Sequence, residues 1–238
     1  MIVVDSVVII GTVQIKSNNN VVKMFTKTNG LQSVYVSEGT KKKAAKNAVL
    51  QPLSICQVKY ITNKNASLPN LKEAIIKLPL LNIQMDVFKS TIALFIADFL
   101  TQALPKDNEE GFYDFLVSSI QIFNEIKEGS SNYHLAFLLK MSKWLGIQPT
   151  LNKEKNNYFD LQEGLFLDVV PNHPYYLSFF ETQVLAKFLV QGWTEIGQVK
   201  LTGIQRRKLL NSIIHYYIYH VPGFKKPKSL TILEEVFS

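Results

Sequence analysis

The chain has 238 residues, 47% hydrophobic and 19% charged, enough for one large domain or two modest ones around a buried core, and a balance that excludes a disordered chain. The formal net charge is +7, and residues 1–80 hold 11 lysines against three acids (Asp5, Glu38 and Glu73), while residues 81–238 hold 15 basic and 16 acidic residues. A positive field gathered in the first third favours a polyanion or an anionic membrane surface as partner, and a solvated lysine-rich face is the plain alternative.

The first eighty residues read as strands. Residues 6–15 are rich in Val and Ile, and Asn18, Asn19 and Asn20 then supply turn chemistry. A second run at 21–26 is followed by Thr28-Asn29-Gly30, and Asn-Gly between two apolar runs is a strong hairpin signal. In the third run, 31–37, Leu31, Ser33 and Tyr35 share one face and Gln32, Val34 and Val36 the other. Both faces carry apolar groups, as in a barrel strand covered outside as well as inside. Residues 52–62 form a fourth strand and 71–77 a fifth. Five short strands in about 80 residues suggest a small barrel of the OB type.

The period then changes. Asp86 is placed to cap a helix running to about Leu104, apolar nearly all round and stopped by Pro105. Residues 109–127 form a second helix, with Phe112, Phe115, Leu116, Ile120 and Phe123 at helical spacing, and 132–145 a third, closed by Gly146. These three are expected to pack as a bundle. Residues 147–178 read as irregular, with strand-like pieces near 158–166. Further helices are expected at 181–191, at 202–221 with Thr202 as cap, and at 229–237. The fold class is therefore mixed β and α. Residues 1–80 are expected to form an OB-fold domain, and 81–238 an all-α helical-bundle domain with a short irregular insertion at 147–178.

No enzyme constellation is visible. No glycine-rich phosphate loop with its Lys-Ser/Thr ending occurs. The single cysteine, Cys56, forbids an internal disulfide and a cysteine zinc site, fits a reducing cytoplasm, and sits in an apolar strand as a core residue. His215 and His220 are five apart on one helix, which does not put both rings on one face. Asp160 and Glu163, three apart in an expected loop, read as surface groups. No catalytic residue, metal or cofactor is expected. No secretory leader is expected either, since the start MIVVDSVVII contains Asp5 and lacks a basic leader. The longest stretch without Asp, Glu, Lys or Arg, residues 209–224, is too short and too polar for a membrane span.

The positive feature is a basic cluster, Lys41, Lys42, Lys43 and Lys46, with Lys23 and Lys27 on the preceding hairpin. Lysine is a point charge on a long stem, suited to phosphate contact without sequence readout. Four to six such contacts give a salt slope of roughly −3 to −5. Phe25 and Tyr35 on the same hairpin are able to stack on bases, although such residues more often fill the core. A second basic run, Arg206-Arg207-Lys208, opens a helix, where it opposes the macrodipole. It serves a phosphate, a protein partner or a solvated face.

The order of these pieces resembles the RecO family of DNA repair proteins. It runs from Met24-Phe25-Thr26-Lys27-Thr28-Asn29-Gly30 through Gly39-Thr40-Lys41-Lys42-Lys43 to Leu50-Gln51-Pro52-Leu53. It continues with Lys89-Ser90-Thr91, with Asn132-Tyr133-His134-Leu135, and with Tyr158-Phe159-Asp160-Leu161. It closes on Tyr216-Tyr217-Ile218-Tyr219-His220-Val221-Pro222-Gly223-Phe224 and Lys228-Ser229-Leu230. The resemblance covers essentially the whole chain and is nearest the Bacteroidetes-like versions.

That resemblance implies a non-enzymatic mediator of recombinational repair in the cytoplasm, associated with the nucleoid and not with a membrane. It implies binding of single- and double-stranded DNA and annealing of complementary strands. It also implies action with RecR to load RecA on DNA coated by single-strand-binding protein, whose acidic C-terminal tail docks on the helical domain, near Arg206 and Arg207. Many family members carry a four-cysteine zinc module. This chain has no cysteine after Cys56, so that region must be held by packing, around Tyr158, Phe159, Leu161 and Phe166. The first turn also departs from the family, with Ser17-Asn18-Asn19 where Tyr-Gly-Glu/Asp is common. A protein-interaction adaptor whose basic barrel binds an acidic protein tail is the alternative reading.

Overall fold

A computed structural model of the chain describes residues 1–16, 19–37, 49–63, 67–105, 109–151 and 157–236. It divides into two compact units, Met1–Asn124 and Glu125–Ser238. The lysines at 41, 42, 43 and 46, and the first turn at 17–18, lie outside the described residues.

In the first unit, β1 (Ile2–Lys16), β2 (Asn19–Thr26), β3 (Gly30–Ser37), β4 (Ile55–Ile61) and β5 (Asn70–Leu78) close a barrel in the order β1-β2-β3-β5-β4. This is the OB fold read from the sequence. β1 runs further back than expected because one strand serves two neighbours. Its first half pairs with β4 from Ile2 to Val8 and its second half with β2 from Val7 to Lys16. The change of partner falls at a register shift between Ile9 and Gly11, a bulge of the kind that bends a strand around a barrel corner.

Alternating residues fill the barrel: Val7, Ile9, Val22, Met24, Val34, Val36, Cys56, Val58, Tyr60 and Leu71 are buried together, with Leu50 of the Leu-Gln-Pro segment. The next residue of that segment, Leu53, is buried in a left-handed conformation (φ 62°) and donates to Ile9 O at 2.8 Å, while Ile9 donates to Ser54 O at 2.9 Å. The β2–β3 turn spans the three residues Lys27–Asn29 and leads into Gly30, whose φ of 62° is a conformation that favours glycine. The turn is tied to β1 by buried Asp5, whose carboxylate accepts from Ser6 N at 2.7 Å, from Thr28 N at 3.3 Å and from the Thr28 hydroxyl.

A short helix absent from the sequence reading, α1 (Leu81–Met85), precedes α2 (Val87–Leu100). Asp86 caps α2 as expected, accepting from Phe88 N at 2.8 Å and Lys89 N at 3.1 Å. The helix stops four residues before Leu104. Its end is satisfied by tighter bonds, such as Gln102 N to Phe99 O, ahead of a proline that disfavours helical backbone before it. α3 (Phe112–Glu125) follows. Lys89 is buried and donates to Phe123 O and Asn124 O at 3.0 and 2.9 Å, so its charge sits at the negative end of α3. Asn124 Oδ1 accepts from Asn82 N and Ile83 N, which seats α1. Phe25, pointing outward from β2, meets Phe112 edge-on at 5.0 Å.

The second unit is built on α4 (Tyr133–Trp144), buried along most of its length, α5 (Phe179–Val190), α6 (Gly203–His220) and α7 (Leu230–Val236). Gly146 takes the left-handed conformation (φ 69°) expected beyond the end of α4. Thr202 caps α6, with Gln205 N donating to Thr202 Oγ1 at 3.2 Å and Gln205 Oε1 accepting from Thr202 N at 2.9 Å. The Tyr217 hydroxyl donates to Leu138 O at 2.6 Å, joining α6 to α4.

The segment read as irregular holds a small sheet of β6 (Tyr158–Asp160), β7 (Leu165–Leu167) and β8 (Tyr176–Leu177), in the order β7-β6-β8. Asp160 is not a surface group as expected. It is buried, accepts from Gln162 N at 2.8 Å and Glu163 N at 3.1 Å, and pairs with His173 Nε2 at 3.0 Å. A carboxylate inside a short sheet–turn unit satisfies backbone donors that the few ladder bonds leave open.

Candidate nucleic-acid interface

The strands place Gly11, Lys23 and Ser33 in one cross-strand row, and Val13, Val21 and Tyr35 in the next. Val22, Met24, Val34 and Val36 point inward, so by strand alternation these two rows form the outer face of β1–β2–β3. On this face Lys23 and Tyr35 are half-buried and Val13 is exposed, while Val21 between Val13 and Tyr35 is buried. Nothing lies within 4 Å of where a Cβ on Gly11 would be, so the surface beside Lys23 is open. Lys23 has no carboxylate partner among the described residues. The expectation that the outside of β3 is covered fails here: Leu31 is 45% exposed, because α3 covers the outer face at Phe25 instead.

Tyr35 N donates to Pro69 O at 2.7 Å, beside the single parallel bridge from Tyr35 to Asn70 that closes the barrel. Tyr35 therefore sits where the β4–β5 loop returns, two residues before β3 ends at Ser37. The segment carrying Lys41, Lys42, Lys43 and Lys46 leaves from that same end.

Lys27 occupies the β2–β3 turn, at the other end of the hairpin. Five residues separate Gly30 from Tyr35, roughly 17 Å of strand. Its Nζ is 3.6 Å from Asp114 Oδ1 and 5.8 Å from the Tyr113 ring centroid. Both charged groups are exposed, so the pair contributes about 1 kcal/mol at most. Phe25, one of the two stacking candidates, is wholly core.

At the start of α6 the three basic residues diverge. Arg206 is half-buried, its Nε donating to Asn132 Oδ1 at 2.9 Å and its terminal nitrogen to Leu201 O at 3.1 Å. Lys208 lies 3.2 Å from Glu181 Oε1. Arg207 is exposed, and with Arg206, Leu210, Leu233 and Glu234 it lines a small surface dimple over buried His134.

The remaining titratable groups argue for packing. Burial pushes the Cys56 thiol up to about 11, which leaves it protonated. Burial, aided by the charge of Arg206, brings the His134 imidazole down to about 3. His220 Nε2 is 2.9 Å from Leu161 O. Among the described residues no group of three or more His, Cys, Asp or Glu is arranged to hold a metal ion, and no helix is long and apolar enough to cross a membrane.

Sequence reasoning missed the β1 contribution to the open face. The alternation Gly11, Val13, Ile15 held the signal, since three outward positions without charge prolong the face that Lys23 and Tyr35 begin.

A closed five-stranded barrel with one open outer face, followed in the chain by helices, defines an OB-barrel protein, a class whose faces and loops bind oligonucleotides and oligosaccharides. The chain belongs to the RecO family of DNA repair and recombination proteins. The family profile described as Recombination protein O N terminal matches residues 1–79, and that described as Recombination protein O C terminal matches residues 84–230. Proteins named DNA repair protein RecO are similar over nearly the whole chain. That of Flavobacterium psychrophilum is 33% identical over 235 residues, covering 97% of each chain. That of Flavobacterium johnsoniae is 33% identical over 234 residues, again 97% of each. That of Bacteroides fragilis (strain YCH46) is 32% identical over 234 residues, with the same coverage.

Proposed function

We propose that this chain is a non-enzymatic mediator of DNA repair that binds single- and double-stranded DNA on its barrel and anneals complementary strands. The observation that carries the reading is the open β1–β2–β3 face. It presents Lys23 in mid-strand and Tyr35 diagonally across from it with uncharged neighbours, Tyr35 lying near the end of the hairpin from which the lysine-rich segment departs. Lys23, Lys41, Lys42, Lys43 and Lys46 contact phosphates, and Tyr35 stacks on a base. Lys27, at the far end of the hairpin and beside Asp114, is a peripheral contact.

In this reading the protein works in the cytoplasm, on the nucleoid. It acts with RecR to load RecA on DNA covered by single-strand-binding protein. The acidic tail of that protein docks at the dimple beside Arg206 and Arg207, where a guanidinium edge meets the apolar Leu210 and Leu233. Lys208, beside Glu181, adds positive potential nearby.

The test is fluorescence anisotropy of labelled single-stranded DNA over a salt series, without metal or nucleotide. The expected salt slope is roughly −3 to −5. Replacing Lys41, Lys42, Lys43 and Lys46 together by Ala should make the slope shallower by about three, with the thermal transition unchanged. Absence of binding at low salt would refute the barrel interface. Competition between DNA and an acidic peptide for the barrel itself would favour the adaptor reading.

A further inference from the structure

The second unit carries a cluster of aromatic rings that neither the barrel interface nor the tail dimple uses. Tyr175, just before β8, and Tyr219, in the last turn of α6, are 44% and 41% exposed. Their rings meet edge to face at 5.9 Å. His173 lies 6.0 Å from Tyr175 with its ring tilted by only 31°. Two hydrogen bonds fix that imidazole. Its Nδ1 accepts from Tyr175 N at 3.2 Å, which leaves Nε2 to donate to buried Asp160 at 3.0 Å. With both ring nitrogens occupied, His173 offers only its face and edge to a visitor. Neither tyrosine hydroxyl has a partner among the described residues.

Preset rings, half-open to solvent, with the imidazole nitrogens already committed, suit a flat apolar ligand gripped by its π-face. The charge nearby in the chain narrows the choice. Lys225, Lys226 and Lys228 are all exposed within nine residues of Tyr219, on a segment pinned by Phe224 against Tyr217 at 5.4 Å and by buried Pro227. Flat rings joined by an anionic backbone are what single-stranded nucleic acid offers such a surface, and stacking of this kind tolerates any base.

We propose that Tyr175 and Tyr219, backed by His173, form a stacking platform for unpaired bases of single-stranded DNA in the second unit, with the lysines after α6 holding the phosphates. The proposal rests on the DNA-binding reading above, and its test separates the two. Full-length protein is bound to oligo-dT carrying one 5-iodouracil and irradiated, and the adducts are mapped by mass spectrometry. Adducts are expected at Tyr175 or Tyr219 as well as within residues 1–80. The double variant Tyr175→Ala, Tyr219→Ala should bind oligo-dT roughly tenfold more weakly. Tyr175→Phe with Tyr219→Phe keeps the ring faces and should bind as the wild type does. Adducts confined to residues 1–80, with unchanged affinity in the alanine variant, would overturn the platform and leave the barrel interface standing. No adduct and no binding at low salt would overturn both. If the alanine variant unfolds, the wild-type adduct map decides alone.

Discussion

Acid should weaken the second unit through one residue, His134. It is 1% exposed on α4, and its folded-state value is about 3 against 6.5 for the free side chain, first because it is buried and then because Arg206 is nearby. The folded state thus refuses a proton that the unfolded chain accepts below pH 6.5. Above that pH both states are neutral and the stability is fully present. As the pH falls through 6.5 towards 3, the unfolded chain gains protons and stability drains away. From pH 7 to pH 5 the loss is about 2 kcal/mol, with a limiting slope of about 1.4 kcal/mol per pH unit. The size of the loss is insensitive to the folded value as long as it stays below about 4. Both tryptophans, Trp144 and Trp193, fall in Glu125–Ser238, so tryptophan fluorescence during urea unfolding reports on this unit alone. Comparing wild type with His134→Gln at pH 7 and pH 5 removes what the carboxylates contribute. The variant should lose about 2 kcal/mol less on acidification. Equal losses in the two proteins, or a ring-proton resonance assigned to His134 that titrates near pH 6.5 in the folded state, would refute the argument.

Other perturbations follow from the same packing. Gly129 has φ +76°, and a Cβ there would collide with the Gly197 backbone, so Gly129→Ala should cost about 2–4 kcal/mol in urea unfolding. Gly11→Glu meets open space and sets a carboxylate beside Lys23; it should leave the melting temperature within a few degrees of wild type and weaken DNA binding severalfold by anisotropy. Asp5→Ala strips the β2–β3 turn of its acceptor and should cost about 1–3 kcal/mol, read as faster hydrogen exchange at Thr28. A strong chelator should leave the tryptophan-detected unfolding curve unchanged, and a lowered midpoint would show that a metal supports the second unit.

Much of the fold was legible because local chemistry and burial agree in it. The Asn29-Gly30 turn, the Asp86 cap, the Gly146 terminus and the Thr202 cap are each set by one or two residues, and each lies where the pattern puts it. The small sheet was only half legible. Its strands are two or three residues long, too short for alternation to register, and Asp160 looks like any loop carboxylate until His173, thirteen residues on, closes over it. The α1 helix was hidden for a similar reason, since its start is satisfied by Asn124, some forty residues away. At the interface, the sequence grouped Lys27 with Lys23 by proximity in the chain. Only the register reveals that Lys27 lies in the turn while Lys23 pairs with Ser33 in the middle of the strands. Arg206 and Arg207 look alike in sequence, yet Arg206 is held by Asn132 and Leu201 while its neighbour is exposed.

How the small sheet stands without cysteines bears on how its surface can be used. Three strands this short are not stable by themselves. Phe159, fully buried, lies 4.8 Å from Phe166 and 5.6 Å from Tyr216 of α6, and His220 of the same helix contacts Leu161 O at 2.9 Å. Even a Cβ at Gly164 would sit 3.4 Å from His220 and from the Tyr216 hydroxyl, so the turn between β6 and β7 is pressed against that helix. The anchor is therefore α6. The same rod carries Arg206 and Arg207 in its first turn and Tyr219 in its last, thirteen residues from Arg206 and so about 20 Å apart along the axis. Changes at the two ends of a rigid helix, well beyond the roughly 10 Å within which substitutions couple, should add. An alanine at Arg207 and an alanine at Tyr219 ought to combine with no interaction energy in any assay of folding, and to separate in assays of binding, the first affecting an acidic peptide and the second single-stranded DNA.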